Sequence, residues 1–173
     1  MPELKLNTLY EANGYINGRA LFGQSEEFTI PGIKPKMNDH KGMGIAGTIE
    51  TPSGFEKMEV KFKANSLYPD VTTEFANIYK EHQVLIFGNL QNWQGNNLTG
   101  EQAAKVTMKG KSKGTPDITV KHQDNPELEY ALTITMVKVE VAGKVLYHLD
   151  LLANIFIVDG VDMWASRRQN LGL

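Results

Sequence analysis

Residues 127–149, ELEYALTITMVKVEVAGKVLYHL, read as one very long β-hairpin. Up to Thr135 the apolar side chains Leu128, Tyr130, Leu132 and Ile134 alternate with Glu127, Glu129, Ala131, Thr133 and Thr135, the period of two that separates the faces of a strand. After Met136 the apolar phase changes to Val137, Val139 and Val141, which a β-bulge or burial on both faces would explain. Ala142-Gly143-Lys144 supplies a short turn, and Val145, Tyr147 and Leu149 alternate back. A strand over 127–141 spans roughly 50 Å at about 3.3 Å per residue, where ordinary strands are about five or six residues long. Such a strand outgrows a small domain and leaves unpaired backbone groups along an edge, which invites aggregation unless something covers them. A ring of identical subunits, each lending its open edge to the next, removes the edge.

Composition narrows the classes. The 173 residues, 41% hydrophobic and 22% charged, fit one globular domain over 1–173 that buries about 70% of its unfolded surface. A net charge of −2 and a pI near 6.1 give no basic excess, so gripping a nucleic-acid backbone is not the expected main task. With no cysteine there is neither a disulfide framework nor a thiolate metal site. The first residues lack the basic-then-apolar build of a signal peptide, and the longest near-apolar run, 151–158, falls short of a membrane span. A soluble protein, cytoplasmic when made and without a membrane anchor, is expected.

Residues 1–40 are rich in turn formers, among them Asn13-Gly14, Asn17-Gly18, Gly23, Pro31-Gly32 and Pro35. They leave room for short strands at 20–23 and 28–30, with 4–10 either a mobile arm or an added strand. Residues 41–66, KGMGIAGTIETPSGFEKMEVKFKANS, read as a second hairpin. Met43, Ile45 and Ile49 alternate with Gly44, Ala46, Thr48 and Glu50; a turn falls at 51–54; then Met58, Val60, Phe62 and Ala64 alternate with Lys57, Glu59, Lys61 and Lys63. One helix is predicted over 70–81, where Pro69 and Asp70 mark a start and Val71, Phe75, Ile78 and Tyr79 recur on one stripe. There follow a strand at 83–90, a polar loop at 91–100 carrying Trp93, and a strand at 103–112 with Ala104, Val106 and Met108 opposite Lys105, Thr107, Lys109 and Lys111. The connection 113–126 is long enough to suggest a role. Residues 151–158 read as a buried strand or covering segment, Asp159-Gly160 as a turn, and 162–170 as a short helical stretch. The fold class is mainly β.

Little here points to catalysis or cofactors. His40, His82, His122 and His148 are dispersed and none sits in a metal-ligand spacing. His148 and Asp150 share a strand face, where a surface or interface role is the expected one. The glycine-rich 41–47 lacks the Lys-Ser/Thr ending of a phosphate loop and precedes a strand, so it reads as a flexible loop or close backbone packing. Glu127 and Glu129 are the wet side of a strand rather than a glycosidase pair. Trp93 and Trp164 are candidates for interface anchors or local core caps. No enzyme, metal or cofactor is expected.

The ending Asp159-Gly160-Val161-Asp162, with Arg168 and then Asn170-Leu171-Gly172-Leu173, looks like an Asn-Gly-Val-Asp and Asn-Leu-Gly-Leu terminus. Thr29-Ile30-Pro31, followed at a distance by Lys41-Gly42-Met43-Gly44-Ile45, looks like a Thr-Leu-Pro segment and a glycine-rich lead into a first hairpin. Val139-Glu140-Val141-Ala142-Gly143-Lys144-Val145 with Leu149-Asp150 looks like a second hairpin. Together, in order along nearly the whole chain, these features resemble the major tail tube proteins of contractile-tailed phages, a family shared with R-type pyocin tubes. Gly32, His40 and Asp159 depart from it, where a Lys, an aromatic and an Asn are usual.

The resemblance implies a two-sheet β-sandwich- or barrel-like subunit with long hairpins and one flanking α-helix. It implies homo-hexamer rings that stack into a hollow tube, with a sheath protein, a tape measure protein, a baseplate tube initiator and a tail terminator as partners. DNA would pass transiently, without specific nucleic-acid binding, in a virion tail assembled in the host bacterial cytoplasm. Two hairpins would line the lumen: 41–66, and 103–112 paired with 127–141. The lumen-facing candidates are Gly44, Ala46, Thr48, Glu50, Lys57, Glu59, Lys61, Lys63, Lys105, Thr107, Lys109, Glu127, Glu129, Ala131, Thr133 and Thr135. Candidates for joining subunits or rings are Lys41, Gly42, Met43 and Gly44, with Asp159, Gly160, Asp162, Arg168, Asn170, Leu171, Gly172 and Leu173. Lys57, Lys61, Lys63, Lys105, Lys109 and Lys111 outnumber Glu50, Glu59, Glu127 and Glu129 on these faces and would attract phosphate. Either cross-strand pairs neutralise them, or some of the faces point elsewhere, or the cargo is not DNA. Two other readings stay open: a ring-forming tube protein of a secretion or other contractile injection system, and a monomeric β-sandwich binding module using loops 91–100 and 113–126.

Overall fold

The computed structural model describes residues 4–44, 46–120, 122 and 125–173. In order the elements are β1 (Lys5–Ile16), β2 (Arg19–Ala20), β3 (Ser25–Thr29), β4 (Pro35–His40), β5 (Ile49–Phe55), β6 (Met58–Ala64), α1 (Pro69–Ala76), β7 (Glu81–Gln94), β8 (Asn97–Ser112), β9 (Leu128–Val141), β10 (Lys144–Asp150), β11 (Ile155–Val158), β12 (Val161–Asp162) and α2 (Ala165–Asn170). The fold is mainly β. A large sheet runs β12-β11-β10-β9-β8-β7-β1-β2, with β6 and β3 branching from β9, and β4 and β5 form a small second sheet.

The hairpin read from 127–149 is the organising element. One edge of β9 pairs with β8; the other is divided, residues 128–134 pairing with β6 and residues 136–141 with β10. Thr135 stands at the division. Lys109 pairs with Met136 and Gly110 with Ile134, so Thr135 bulges without a residue opposite it on β8, and its carbonyl accepts the Leu151 amide at 3.0 Å. One extra residue shifts the pleat by one, which is why Leu128, Tyr130, Leu132 and Ile134 are buried before it and Val137 after it. The phase change at Met136 is this bulge.

The buried faces of β6, β7, β8 and β9 meet α1, which contributes Val71 and Phe75. The ring of Phe28 on β3 lies so close to Gly14 on β1 that a Cβ there would come within 2.2 Å of it. Two branches of the sheet thus face each other across the core, which gives the sandwich-like form.

Several expectations need correcting. Residues 41–66 are not a hairpin: β5 pairs with β4, residues 51–54 lie inside β5, and β6 sits between β3 and β9. Met58, Val60, Phe62 and Ala64 require a core to bury them, and β5, exposed through Ser53, offers none. Ile45 lies outside the described residues, as do Lys121, Gln123 and Asp124 of the connection. The helix stops at Ala76, because Asn77 takes a non-helical conformation and its Oδ1 accepts the Tyr79 amide; Ile78 and Tyr79 are exposed and belong to no helical stripe. Residues 91–100 are not a loop but the far end of the β7–β8 hairpin, with Gly95 in its turn. Residues 4–10 fall mostly in β1, which runs twelve residues, while β2 and β3 are offset from the strands read at 20–23 and 28–30. Of 151–158 only Ile155–Val158 is strand; residues 151–154 form a turn that exposes Leu152.

Three tight turns share one geometry. Asn17-Gly18, Ala142-Gly143 and Asp159-Gly160 have φ of 50° and 83°, 50° and 78°, and 49° and 82°. Asn and Asp tolerate the left-handed first position; alanine adopts it only at a cost. Ala142→Asn is therefore expected to stabilise the fold by about 1 kcal/mol, read as a higher urea midpoint. A lower midpoint would show that the β9–β10 turn is not strained at Ala142.

Candidate functional site

Opposite the core, the large sheet turns a polar face outward. Directly opposed residues in an antiparallel ladder project to the same side. Glu59, Lys61 and Lys63 on β6 oppose Thr133, Ala131 and Glu129 on β9, and across β9 and β8 the face continues through Lys111–Thr133, Lys109–Met136, Thr107–Lys138 and Lys105–Glu140. The structure thus gathers Glu59, Lys61, Lys63, Lys105, Thr107, Lys109, Glu129, Ala131 and Thr133 on one wall. Thr107 is enclosed by its neighbours, at 9% exposure. Thr135 sits on the bulge and donates its hydroxyl to the Lys109 carbonyl at 3.4 Å. Lys57 and Glu127 lie just outside the ends of β6 and β9. Gly44, Ala46, Thr48 and Glu50 are not part of this wall: they belong to the β4–β5 loop and the small sheet, because β5 chose β4 over β6.

The wall neutralises much of its own charge. Lys61 Nζ meets Glu129 Oε1 at 2.7 Å, Lys63 meets Glu27 at 3.1 Å, Lys113 meets Glu59 at 2.8 Å with Lys57 at 3.7 Å, and Lys138 meets Glu140 at 2.9 Å. Hydrogen bonding from Lys113 holds Glu59 below the usual carboxylate range, and Lys138 does the same for Glu140. Lys61 and Lys63 are raised by their bonds to Glu129 and Glu27. Lys105 lies over the Phe87 ring, 5.6 Å from its centroid. Among the described residues Lys109 and Lys111 form no ion pair.

At the C-terminal end, Asp162 and Arg168 bind each other within the subunit. Arg168 also donates to the Asn154 carbonyl at 2.9 Å, Asp162 accepts the Trp164 amide at 3.0 Å, and the Arg168 bond keeps the Asp162 carboxyl low. Asp159 pairs with Lys144 at 2.5 Å across the turn at Gly160. Asn170 ends α2, and Leu173 N–H returns to the Arg168 carbonyl at 3.0 Å over Gly172, leaving Leu171 and Leu173 exposed. Lys41, Gly42, Met43 and Gly44 lie on the loop at the tip of the small sheet, with Met43 fully exposed.

Sequence reasoning missed one feature. Phe55, Phe156 and Trp164 form a triangle with centroids 5.2, 5.6 and 5.7 Å apart, at the floor of an apolar groove of about 1000 Å³ between the small sheet and β10, β11 and α2. Its only signal in the sequence was Trp164, read as an interface anchor or a local core cap with no partner named.

Burial pushes the His148 imidazole down, against the pull of Asp150, so the fold favours its neutral form. Glu59, Glu74 and Glu140 are likewise held below their ordinary values, each chiefly by a lysine bond. Their contribution to stability is complete above the unfolded pKa values, roughly 6.5 for His and 4.3 for Glu, and is lost as pH falls through the lower folded ones. Urea midpoints are expected to be flat from pH 8 to 7 and to decline in the acid range; a rise on acidification would contradict these assignments.

Residues 6–172 match the family model described as phage tail tube protein FII. The chain is 24% identical over 166 residues to the tail tube protein of Escherichia phage P2, spanning 93% of this chain and 94% of that protein. That family is structural rather than enzymatic. From its long central hairpin to its C-terminal clamp, the chain belongs to the phage tail tube protein FII family and is a structural subunit of the virion tail.

Proposed function

We propose that copies of this chain close into hexameric rings that stack into the hollow inner tube of a contractile tail, through which DNA passes on ejection. The observation that carries this is the unfinished sheet. β2 covers β1 only at Tyr15 and Ile16, so Lys5 to Asn13 present a free edge among the described residues, and the opposite end of the sheet is the two-residue β12. An edge of that length needs a partner, and a neighbouring copy supplies one at no cost in new sequence. The polar wall of β6, β9 and β8 then faces the lumen, where Lys61, Lys63, Lys113 and Lys138 are spent on carboxylates and, among the described residues, Lys105, Lys109 and Lys111 are the wall lysines without an acid partner that a passing phosphate backbone meets. The loop carrying Lys41 to Met43, with Gly44, Ala46, Thr48 and Glu50, reaches a neighbouring subunit or ring instead of lining the lumen, and Leu171 to Leu173 join copies. The sheath encloses the tube, a tape measure protein sets its length, and an initiator and a terminator bound its ends, with assembly in the host cytoplasm.

Negative-stain electron microscopy of the purified chain over a concentration series, with and without baseplate initiator, tests this. Rings or hollow tubes are expected, and removal of residues 171–173 should stop tube growth while leaving a folded subunit. Compact monomers under every condition would overturn the reading.

A further inference from the structure

We propose that the blade formed by the outer ends of β1, β7 and β8 in one copy docks into the aromatic groove beside α2 of the next copy. This rests on the tube reading and specifies which surfaces meet.

The groove is shaped for apolar side chains. At about 1000 Å³ it matches the upper range of small-molecule pockets, yet it lacks the convergent polar groups that orient such ligands. Its walls are Phe55, Tyr147, Phe156, Trp164, Met37 and Met163. The Ser53 hydroxyl is spent on the Lys36 carbonyl at 3.0 Å, and the Arg167 guanidinium lies over the Trp164 ring at 4.5 Å. Met37 and Met163 are 43% and 59% exposed, flexible thioethers at the mouth that can adapt to an inserted surface.

The blade is the matching shape. The hairpin β7–β8 and the strand β1 extend past the core, so both faces of residues 5–12 are open to solvent or nearly so. Leu6, Leu9, Tyr10 and Leu98 are 47%, 59%, 64% and 46% exposed there, and the bulge at Tyr10 turns the strand at their midpoint. Apolar side chains concentrated on a projection mark an interface.

A second copy is the occupant for two reasons. The patches lie toward opposite ends of the sheet order, β1 at one and β10 to β12 at the other, so joining them is a heterologous contact of the kind that generates rings. The rims also differ in charge: Arg167 is the charged residue lining the groove, while Glu11 and Glu101 flank the blade, with Lys5 at its far end. Gln91 and Asn89 hydrogen-bond Glu101 and keep it ionised.

The absence of native cysteine makes a direct test possible. Two double variants, Leu9→Cys with Met37→Cys and Leu6→Cys with Met163→Cys, are assembled and then treated with copper-phenanthroline as oxidant or with a flexible bis-maleimide. Denaturing gels of the tubes should show a ladder rising to the ring number for at least one pair, while each single variant stays monomeric. Single variants co-assembled with each other should stop at dimers, which also serves if a double variant fails to assemble. Tubes that form without any ladder or dimer under both reagents overturn the docking alone. If the wild-type chain forms no tubes, the tube reading and the docking fall together.

Discussion

Gly110→Val is expected to cost about 4 kcal/mol or more, enough to leave the chain insoluble or unfolded, whereas Gly32→Ala should leave the urea midpoint unchanged. Gly110 is buried in β8, between His82 on β7 and Ile134 on β9. A Cβ there would stand 2.1 Å from the Thr133 carbonyl oxygen, 2.9 Å from its carbon and 3.0 Å from the Ile134 Cα. All three are backbone atoms, so no rotamer change relieves the clash, and β8 would have to part from β9 beside the Thr135 bulge. The need for glycine here is therefore close approach across a bulged ladder and not a special torsion. At Gly32 an added Cβ meets nothing within 4 Å. A Gly110→Val midpoint equal to wild type would mean that the bulge can slide, and that the junction of the β6 and β10 halves of β9 is softer than its geometry indicates.

How much of this was legible in the sequence depended on one-sided burial. The β9–β10 hairpin was readable because Leu128, Tyr130, Leu132 and Ile134 are buried and their neighbours are not, and the bulge announced itself as a change of phase. Beyond the core that signal vanishes. Residues 91–100 of the β7–β8 hairpin and residues 5–12 of β1 bury neither face deeply, so nothing alternates: polarity at 91–100 was mistaken for a loop, and at 4–10 it could not separate an arm from the added strand that β1 is. Pairing was a separate failure. Alternation showed that β6 was a strand but could not say that it would leave β5 for β9, a choice made by the core. The polar wall was legible strand by strand, since residues two apart share a face. The part of it assigned to Gly44, Ala46, Thr48 and Glu50 depended on the wrong partner and was lost with it. The aromatic groove joins residues far apart along the chain, and no local pattern could bring Phe55 to Phe156.

Phe62→Ala is expected to destabilise the subunit by about 4 kcal/mol, with Tyr130→Phe costing only about 1 kcal/mol. The Phe62 ring, 2% exposed, has Phe28 at 5.5 Å, Phe75 at 5.2 Å and Tyr130 at 4.8 Å, so its removal empties the middle of an aromatic stack joining β3, β6, β9 and α1. Tyr130→Phe keeps the ring and loses one hydroxyl bond, to Thr72 at 2.8 Å. Helix α1 feels the difference most: eight residues without a side-chain N-cap cannot persist unaided, and Phe75 is one of its two buried side chains. Amide exchange in α1 should therefore quicken in Phe62→Ala by more than in Tyr130→Phe. The effect should reach the opposite side of the sheet, because the strands that present Lys61 to Glu129 are the ones the stack holds in register. Unchanged exchange in α1 would assign its anchorage to Val71 and to the Ser112 hydroxyl, which donates to the Phe75 carbonyl at 2.6 Å, rather than to the stacked rings.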